Sequence, residues 1–99
     1  MRQRRVRVTT EVAAVVEALR AEEPLWGYRV CQVIERGPGT VYPILKRLED
    51  AGWARTWMEE APPPDRPARR YYALTAHGLA QYAATLAVRE TLRPWWRRR

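Results

Sequence analysis

The sequence has no phenylalanine, one cysteine and one histidine among its 99 residues. A single cysteine cannot form an internal disulfide, and such sparing use is typical of the reducing cytoplasm. No apolar run approaches the ~20 residues that a membrane-spanning helix needs. The N-terminal arginines are not followed by the apolar stretch of a secretory signal. We therefore expect a cytoplasmic protein that does not enter membranes.

Groups that catalyse reactions or bind metals are equally scarce. His77 has no cysteine or second histidine nearby, so it offers neither a metal site nor a catalytic dyad. Cys31 lies beside the apolar stripe of a short helix, where a buried, unreactive thiol is expected. The carboxylates are spread over helix surfaces and a loop, with no pair facing a cleft. We predict a protein that is not an enzyme and uses no cofactor.

Positive charge is present in excess, with a formal net charge of +7. The excess lies in a basic N-terminal arm (residues 1–8) and a Trp/Arg tail (residues 93–99), which hold four arginines each. Residues 9–92 contain ten basic and eleven acidic residues, a balance of −1. Net basicity suggests a nucleic-acid partner. Within the folded domain predicted for residues 9–92, however, affinity has to come from local basic clusters.

Apolar residues spaced by three and four positions predict two helices in residues 9–35. The first starts at a threonine cap and ends near Ala21, since Pro24 disfavours helical geometry in the residue before it. The second runs from about residue 27 to residue 35. Its inward side chains are predicted to be Val30, Val33 and Ile34.

A third helix is predicted from Gly39-Thr40 to Ala51-Gly52, where glycine suits a left-handed cap. Pro43 is expected in its first turn, because a proline N–H is not needed there. The apolar positions repeat with the helical period at Val41, Ile44, Leu45 and Leu48. The outward face then presents hydroxyl and basic groups, from Thr40, Tyr42, Lys46 and Arg47.

Two strands and a fourth helix are predicted after the third helix. The strands are residues 53–58 and 69–74, and the proline-rich segment between them is expected to be an exposed loop. Thr75 caps a fourth helix that ends before Pro94. The inward side chains of this helix are predicted to be Leu79, Tyr82, Ala83 and Leu86.

This order of elements predicts a mainly α fold with a small β-hairpin, a winged helix-turn-helix. A helix of about 12 residues is ~18 Å long and fits a major groove ~12 Å wide. Spacing alone leaves two roles open for Lys46 and Arg47, contact with DNA or ion pairs with acids on an amphipathic surface. Arg69 and Arg70 beside the loop favour DNA contact by the wing. The loop also carries acidic residues, which would repel phosphate.

The terminal arms extend the DNA-binding hypothesis. Arg4 and Arg5 are predicted to contact the DNA backbone or minor groove, with a solvated tail as an equal alternative. Trp95 and Trp96 are predicted to pack on a second subunit while the arginines after them approach phosphate. Attachment of this short tail to an anionic membrane surface ranks last.

Four stretches resemble the PadR family of bacterial transcription regulators, over roughly residues 12–80. They are PLWGY at 24–28, GTVYPILKRLE at 39–49, AGW at 51–53 and RRYYALT at 69–75. The resemblance implies a homodimer that represses transcription at a roughly palindromic operator, in many members released by a small molecule or stress signal. It assigns groove reading to the third helix and backbone contact to the wing.

The resemblance also implies a dimer formed by C-terminal helices together with the first helix. With the surplus of apolar residues in the fourth helix, it predicts an interface of Leu79, Tyr82, Leu86, Trp95 and Trp96. Two other functions stay open. A winged-helix adaptor or antagonist of another regulator would suit the near-neutral centre, and a non-specific nucleic-acid-binding protein would suit the basic arms.

Overall fold

Four helices and three short strands occupy residues 5–97, the part of the chain that the computed structural model describes. Their order is α1 (Thr10–Ala21), β1 (Leu25–Trp26), α2 (Gly27–Ile34), α3 (Pro38–Asp50), β2 (Ala54–Met58), β3 (Arg70–Leu74) and α4 (Ala76–Leu92), followed by a 3-10 turn, Trp95–Arg97. Three helices, a wing and a further helix are the predicted winged helix-turn-helix architecture. None of the helices in this part of the chain is long and apolar enough to cross a membrane.

The core is built on the apolar stripes of α1 and α3. Thr9 caps α1 as predicted, its Oγ1 accepting a hydrogen bond from the Val12 N–H at 3.2 Å. Burying each Val or Leu side chain stabilises the fold by about 1.5–3 kcal/mol. All eight side chains of the two stripes are at most 4% exposed: Val12, Val15, Val16, Leu19, Val41, Ile44, Leu45 and Leu48.

Helix α3 starts at Pro38, just before the predicted start, and this moves Pro43 out of the first turn. Gly37 is the N-cap, and Pro38 takes a first helical position that suits its fixed φ. Pro43 therefore lies in the second turn, and the prediction that it occupies the first turn is wrong. It cannot donate to the carbonyl of Gly39 four residues earlier. Both residues are exposed, so water can satisfy that carbonyl.

The sheet has three strands, whereas a two-stranded wing was predicted. In the antiparallel order β1-β3-β2, the central strand β3 pairs with both of its neighbours. In β1, Leu25 lies opposite Tyr72 and Trp26 opposite Tyr71. A two-residue strand between two helices has no alternation from which it can be predicted. Its pairing joins the start of α2 directly to the wing.

Helix α2 differs from the prediction in one side chain. Val30 is fully buried and Ile34 packs against the core, but Val33 is 40% exposed. Cys31 is buried, as predicted. Positions 27, 30, 31 and 34 follow the i, i+3, i+4, i+7 spacing of one helix face, and position 33 lies off that face. Burial raises the pKa of the Cys31 thiol, which disfavours its thiolate form.

Helix α4 buries less of its surface than predicted. Thr75 caps it as expected, its Oγ1 accepting a hydrogen bond from the Gly78 N–H at 2.9 Å. Gly78 and Tyr82 are its buried residues. The helix therefore contacts the core through a narrower face than the periodicity predicts. Three of the four predicted inward side chains are exposed, Leu79, Ala83 and Leu86.

Tyr82 links α4 to α1. Its Oη donates a hydrogen bond to Glu17 Oε2 at 2.8 Å. Burial, and then this bond to a carboxylate, raise the pKa of Tyr82 to about 12. The folded protein thus holds the phenolic proton more tightly than the unfolded chain, in which a tyrosine has a pKa of about 10. The resulting stabilisation is complete below about pH 10 and is lost as the pH rises toward about 12.

We expect Tyr82→Phe to remove this pH dependence. At pH 8 the variant should be less stable by about 1.5–3 kcal/mol, the range for a hydrogen bond to a charged group. As the pH rises from about 10 to about 12, the stability of the wild type should fall toward that of the variant. Urea titrations followed by circular dichroism measure both proteins. A constant gap at every pH would contradict the link to Tyr82.

Candidate nucleic-acid interface

The outward face of α3 carries the side chains predicted to read the groove. Thr40, Tyr42, Lys46 and Arg47 are all exposed, opposite the buried stripe. Lys46 Nζ lies 3.1 Å from Asp50 Oδ1, one turn further along the helix, with the lysine side chain 69% exposed. Such an exposed pair contributes only about 0.3–0.5 kcal/mol, so it opens readily when a stronger partner approaches.

Tyr42 is held against the start of α2. A methyl group at Gly27 would come within 2.2 Å of Tyr42 Cε1, so the ring occupies space that only a glycine leaves free. The tyrosine side chain is nevertheless 44% exposed. One side of the ring is therefore packed while the other faces solvent.

A cavity of about 370 Å³ lies between α2, α3 and the loop end of β3. We name it the wing cavity. It brings Tyr42 together with both wing arginines that the sequence predicts to contact DNA. Its lining includes four aromatic side chains and two guanidinium groups, from Trp26, Tyr28, Tyr42, Arg69, Arg70 and Tyr72.

The two wing arginines are held by neutral groups. The Cζ of Arg69 lies 3.9 Å from the centroid of the Trp26 ring. Arg70 Nη1 donates a long hydrogen bond, 3.4 Å, to Thr56 Oγ1. Among residues 5–97, neither guanidinium forms a salt bridge. Glu59 attracts the charge of Arg69 without forming an ion pair with it. Both guanidinium groups can therefore still bind an anion at the wing cavity.

The proline loop neutralises part of its own acidity. Arg66 donates two hydrogen bonds to Glu59, from Nη1 to Oε1 at 2.7 Å and from Nη2 to Oε2 at 3.0 Å. Glu59 Oε1 also accepts a bond from the backbone N–H of Arg69 at 3.2 Å. The hydrogen bond from Arg66 is the main cause that lowers the pKa of Glu59. The carboxylate closest in sequence to β2 is thus paired with a cation and repels phosphate less.

Residues 5–8 of the N-terminal arm lie next to α4. Arg4 falls outside the described residues, and Arg5 lines a second cavity, of about 730 Å³, together with residues of α4. Arg89 of α4 donates a hydrogen bond to the carbonyl of Val8, which holds this part of the chain on the helix. Arg5 is therefore next to α4 and does not line the wing cavity.

The residues predicted for a dimer interface fall into two groups. Tyr82 is buried within the core of this chain, 4% exposed. The other four predicted residues are exposed. We name this set the α4 apolar surface: Leu79, Leu86, Trp95 and Trp96. Leu79 and Leu86 are seven residues apart and therefore lie on one face of α4. Large apolar side chains exposed close together in this way are typical of an interaction surface.

The sequence prediction omits three aromatic residues of the wing cavity, Trp26, Tyr28 and Tyr72. Trp26 and Tyr28 reach it because β1 pairs with β3, and periodicity gives no sign of that pairing. The available signal is compositional, since two aromatic residues flank Gly27 at the start of a helix. Aromatic side chains beside a position that excludes a Cβ are a reason to expect close packing there.

Comparison with known proteins agrees with this architecture. The family described as the transcriptional regulator PadR-like family matches residues 15–84. The structure of reduced AbfR bound to DNA superposes with a TM-score of 0.71 at 23% identity, covering 89% of this chain and 61% of AbfR. A PadR-like transcription factor from Bacteroides fragilis has a TM-score of 0.68 at 22% identity, covering 84% and 85% of the two chains. No curated protein sequence matches significantly.

Diamide-treated YodB from B. subtilis is a further structural neighbour. Its TM-score is 0.65 at 19% identity, with 78% of this chain and 72% of YodB covered. At such identities the three likenesses establish the fold. The chain spans about three-fifths of the length of AbfR, 61%.

Proposed function

This chain belongs to the PadR-like family of transcriptional regulators, and on that premise we propose that it is a homodimeric repressor that binds a double-stranded DNA operator. In this proposal α3 enters the major groove, and Arg69 and Arg70 contact the backbone. The observation that carries it is the wing cavity, where Tyr42 and the two arginines line one space. The proximity of Tyr42 to Arg69 and Arg70 supports a surface on which α3 reads bases and the two cations contact the backbone.

The dimensions of α3 suit the groove. Its 13 residues make a helix about 20 Å long, at about 1.5 Å per residue. Tyr42 and Lys46 are one turn apart on one face, and we assign them to base edges. Thr40 lies in the first turn, where the helix dipole favours phosphate, and Arg47 extends the basic face toward the backbone.

DNA binding accounts for this surface better than the adaptor alternative. The near-neutral centre had favoured an adaptor, but local charge matters more than the total. Arg69 and Arg70 are without a salt bridge among the described residues, and Glu59 is already paired with Arg66. The structure of the neighbour AbfR shows it bound to DNA, and this supports the proposal that the present chain also binds DNA.

The α4 apolar surface supports the homodimer. Leu79 and Leu86 flank Tyr82 on α4, and Trp95 and Trp96 continue the surface at 80% and 62% exposure. A two-fold dimer would place two copies of α3 about one DNA turn apart, as a palindromic operator requires. We further propose that the protein acts in the cytoplasm, that Arg4 and Arg5 add backbone affinity, and that a small-molecule effector regulates it.

A titration against two duplexes tests the proposal. One duplex is selected by the protein from a randomised pool, and the other has the same base composition in scrambled order. We expect the selected duplex to bind at least about 10³-fold more tightly. The slope of log affinity against log salt should be about −0.9 for each phosphate neutralised. Equal affinity for both duplexes would overturn specific recognition, and binding to neither would favour the adaptor.

We expect two substitutions to separate base reading from backbone contact in this titration. Tyr42→Ala should weaken binding to the selected duplex by about 1–3 kcal/mol and leave the scrambled duplex almost unaffected. Arg70→Ala, the matched backbone variant, should weaken both duplexes alike and make the salt slope shallower by about 0.9. Equal losses on both duplexes for Tyr42→Ala would remove Tyr42 from the base-reading set.

A further inference from the structure

Three aromatic side chains form a row across the sheet. In the register of the strands, Tyr71 of β3 lies opposite both Trp26 of β1 and Trp57 of β2. The centroids of Tyr71 and Trp26 are 6.1 Å apart in an edge-to-face arrangement, and those of Tyr71 and Trp57 are 6.0 Å apart. All three side chains are half-buried. We name this set the aromatic row.

A guanidinium group stacks on each end of the aromatic row. Arg69 Cζ lies 3.9 Å from the centroid of Trp26, and Arg55 Cζ lies 4.6 Å from that of Trp57. Stacking uses the face of a guanidinium and leaves the N–H donors at its edge free to bind an anion. An arginine held in this way has also lost part of its rotamer freedom before an anion arrives.

Only one end of the aromatic row lies at the wing cavity. Trp26 and Arg69 both line the wing cavity, together with Tyr28 and Tyr42. Trp57 and Arg55 do not line it. The indole at the Trp26 end therefore holds a cation at the point where the wing meets α3, and the indole at the other end does not.

We propose that Trp26 is a positioning residue for DNA binding, with its indole holding the Arg69 guanidinium at the wing cavity so that the free donors face one backbone phosphate. The inference rests on the proposed function. Arg69 makes the contact, and Trp26 acts only through Arg69. Removing the indole should therefore have no effect on DNA binding once Arg69 is absent.

A double-mutant cycle measures this dependence. The scrambled duplex is titrated by fluorescence anisotropy at several salt concentrations with Arg69→Ala, Trp26→Leu and the double variant. Arg69→Ala should make the salt slope shallower by about 0.9. Trp26→Leu should weaken binding about two- to five-fold, the effect of losing an exposed cation–π contact, and Trp26→Phe should restore most of it. In the Arg69→Ala background, Trp26→Leu should change affinity by less than about 1.5-fold, as expected for residues that act as one unit.

Trp57→Leu is the matched control, because it removes the same residue type from the same row and the same neighbour, Tyr71. Its effect on binding should be identical with and without Arg69. Arg69→Lys keeps the charge but not the planar guanidinium, so it tests the inference even if Trp26→Leu does not fold. It should weaken binding about as much as Trp26→Leu.

Three outcomes would overturn the inference. A loss for Trp26→Leu that persists in the Arg69→Ala background would show that Trp26 is merely structural. Full affinity with an unchanged salt slope for Arg69→Lys would show that stacking does not matter. Both of these results leave the proposed function standing. A wild type that binds no duplex would overturn the proposed function as well.

Discussion

Gly78→Ala is expected to leave the protein largely unfolded. A Cβ at this position would lie 2.2 Å from the carbonyl oxygen of Trp53 and 2.8 Å from its carbonyl carbon and Cα. These are backbone atoms, so no rotamer change relieves the clash. The same carbonyl accepts a hydrogen bond from the Thr75 N–H at 2.9 Å, which ties it to the start of α4. We expect the free energy of unfolding to fall by more than the ~1–3 kcal/mol that overpacking usually costs.

Chemical denaturation followed by circular dichroism measures this loss, with Gly39→Ala as the matched control. Gly39 is also helical, but a Cβ there would meet nothing within 4 Å. Alanine should therefore stabilise α3 by up to about 1 kcal/mol, through its helix propensity and the reduced freedom of the unfolded chain. If Gly78→Ala were as stable as Gly39→Ala, the close packing of α4 on Trp53 would be refuted.

Leu86→Lys is expected to abolish dimerisation and, with it, most of the operator affinity. It places a charge in the middle of the α4 apolar surface, where burial in an interface would leave that charge unpaired. Sedimentation equilibrium should then report a monomer. Two linked half-site contacts gain about 10²–10⁴-fold in affinity over one, so the loss should be at least about 100-fold. The added positive charge would by itself favour DNA binding, so a loss of affinity could not be attributed to the charge.

Val33→Lys controls for the new charge. Val33 lies on α2 and is 40% exposed, close to the 41% of Leu86. We expect this variant to stay dimeric and to bind the operator at least as well as the wild type. A Leu86→Lys protein that still sediments as a dimer would show that the two subunits meet elsewhere.

The parts of the fold that periodicity predicts are those with long apolar stripes. In α1 and α3 four apolar residues each repeat with the helical period, and burial of that stripe determines which way each helix faces. In α4 the same spacing is misleading, because Leu79 and Leu86 lie on a face that the core of this chain does not cover. Periodicity reports that a face will be buried, and it cannot distinguish the chain's own core from a second molecule.

The candidate site was only half predictable for a related reason. Tyr42, Lys46, Arg69 and Arg70 follow from the outward face of α3 and the basic residues of the wing, which are local features. Trp26 enters the site through its pairing with Tyr71, 45 positions later in the chain. The sequence pattern of a two-residue strand is too short to predict so distant a pairing partner.

The pairing of β1 also determines how the parts proposed to bind DNA can move. Trp26 is the last residue of β1 and Gly27 the first of α2, so no linker residue separates the strand from the helix. The wing and the helix-turn-helix are thus joined without a hinge and should approach the groove as one rigid body. Each residue inserted at this junction would turn α2 by about 100° relative to the sheet. An insertion at this junction should therefore displace α2 from its packing on the sheet.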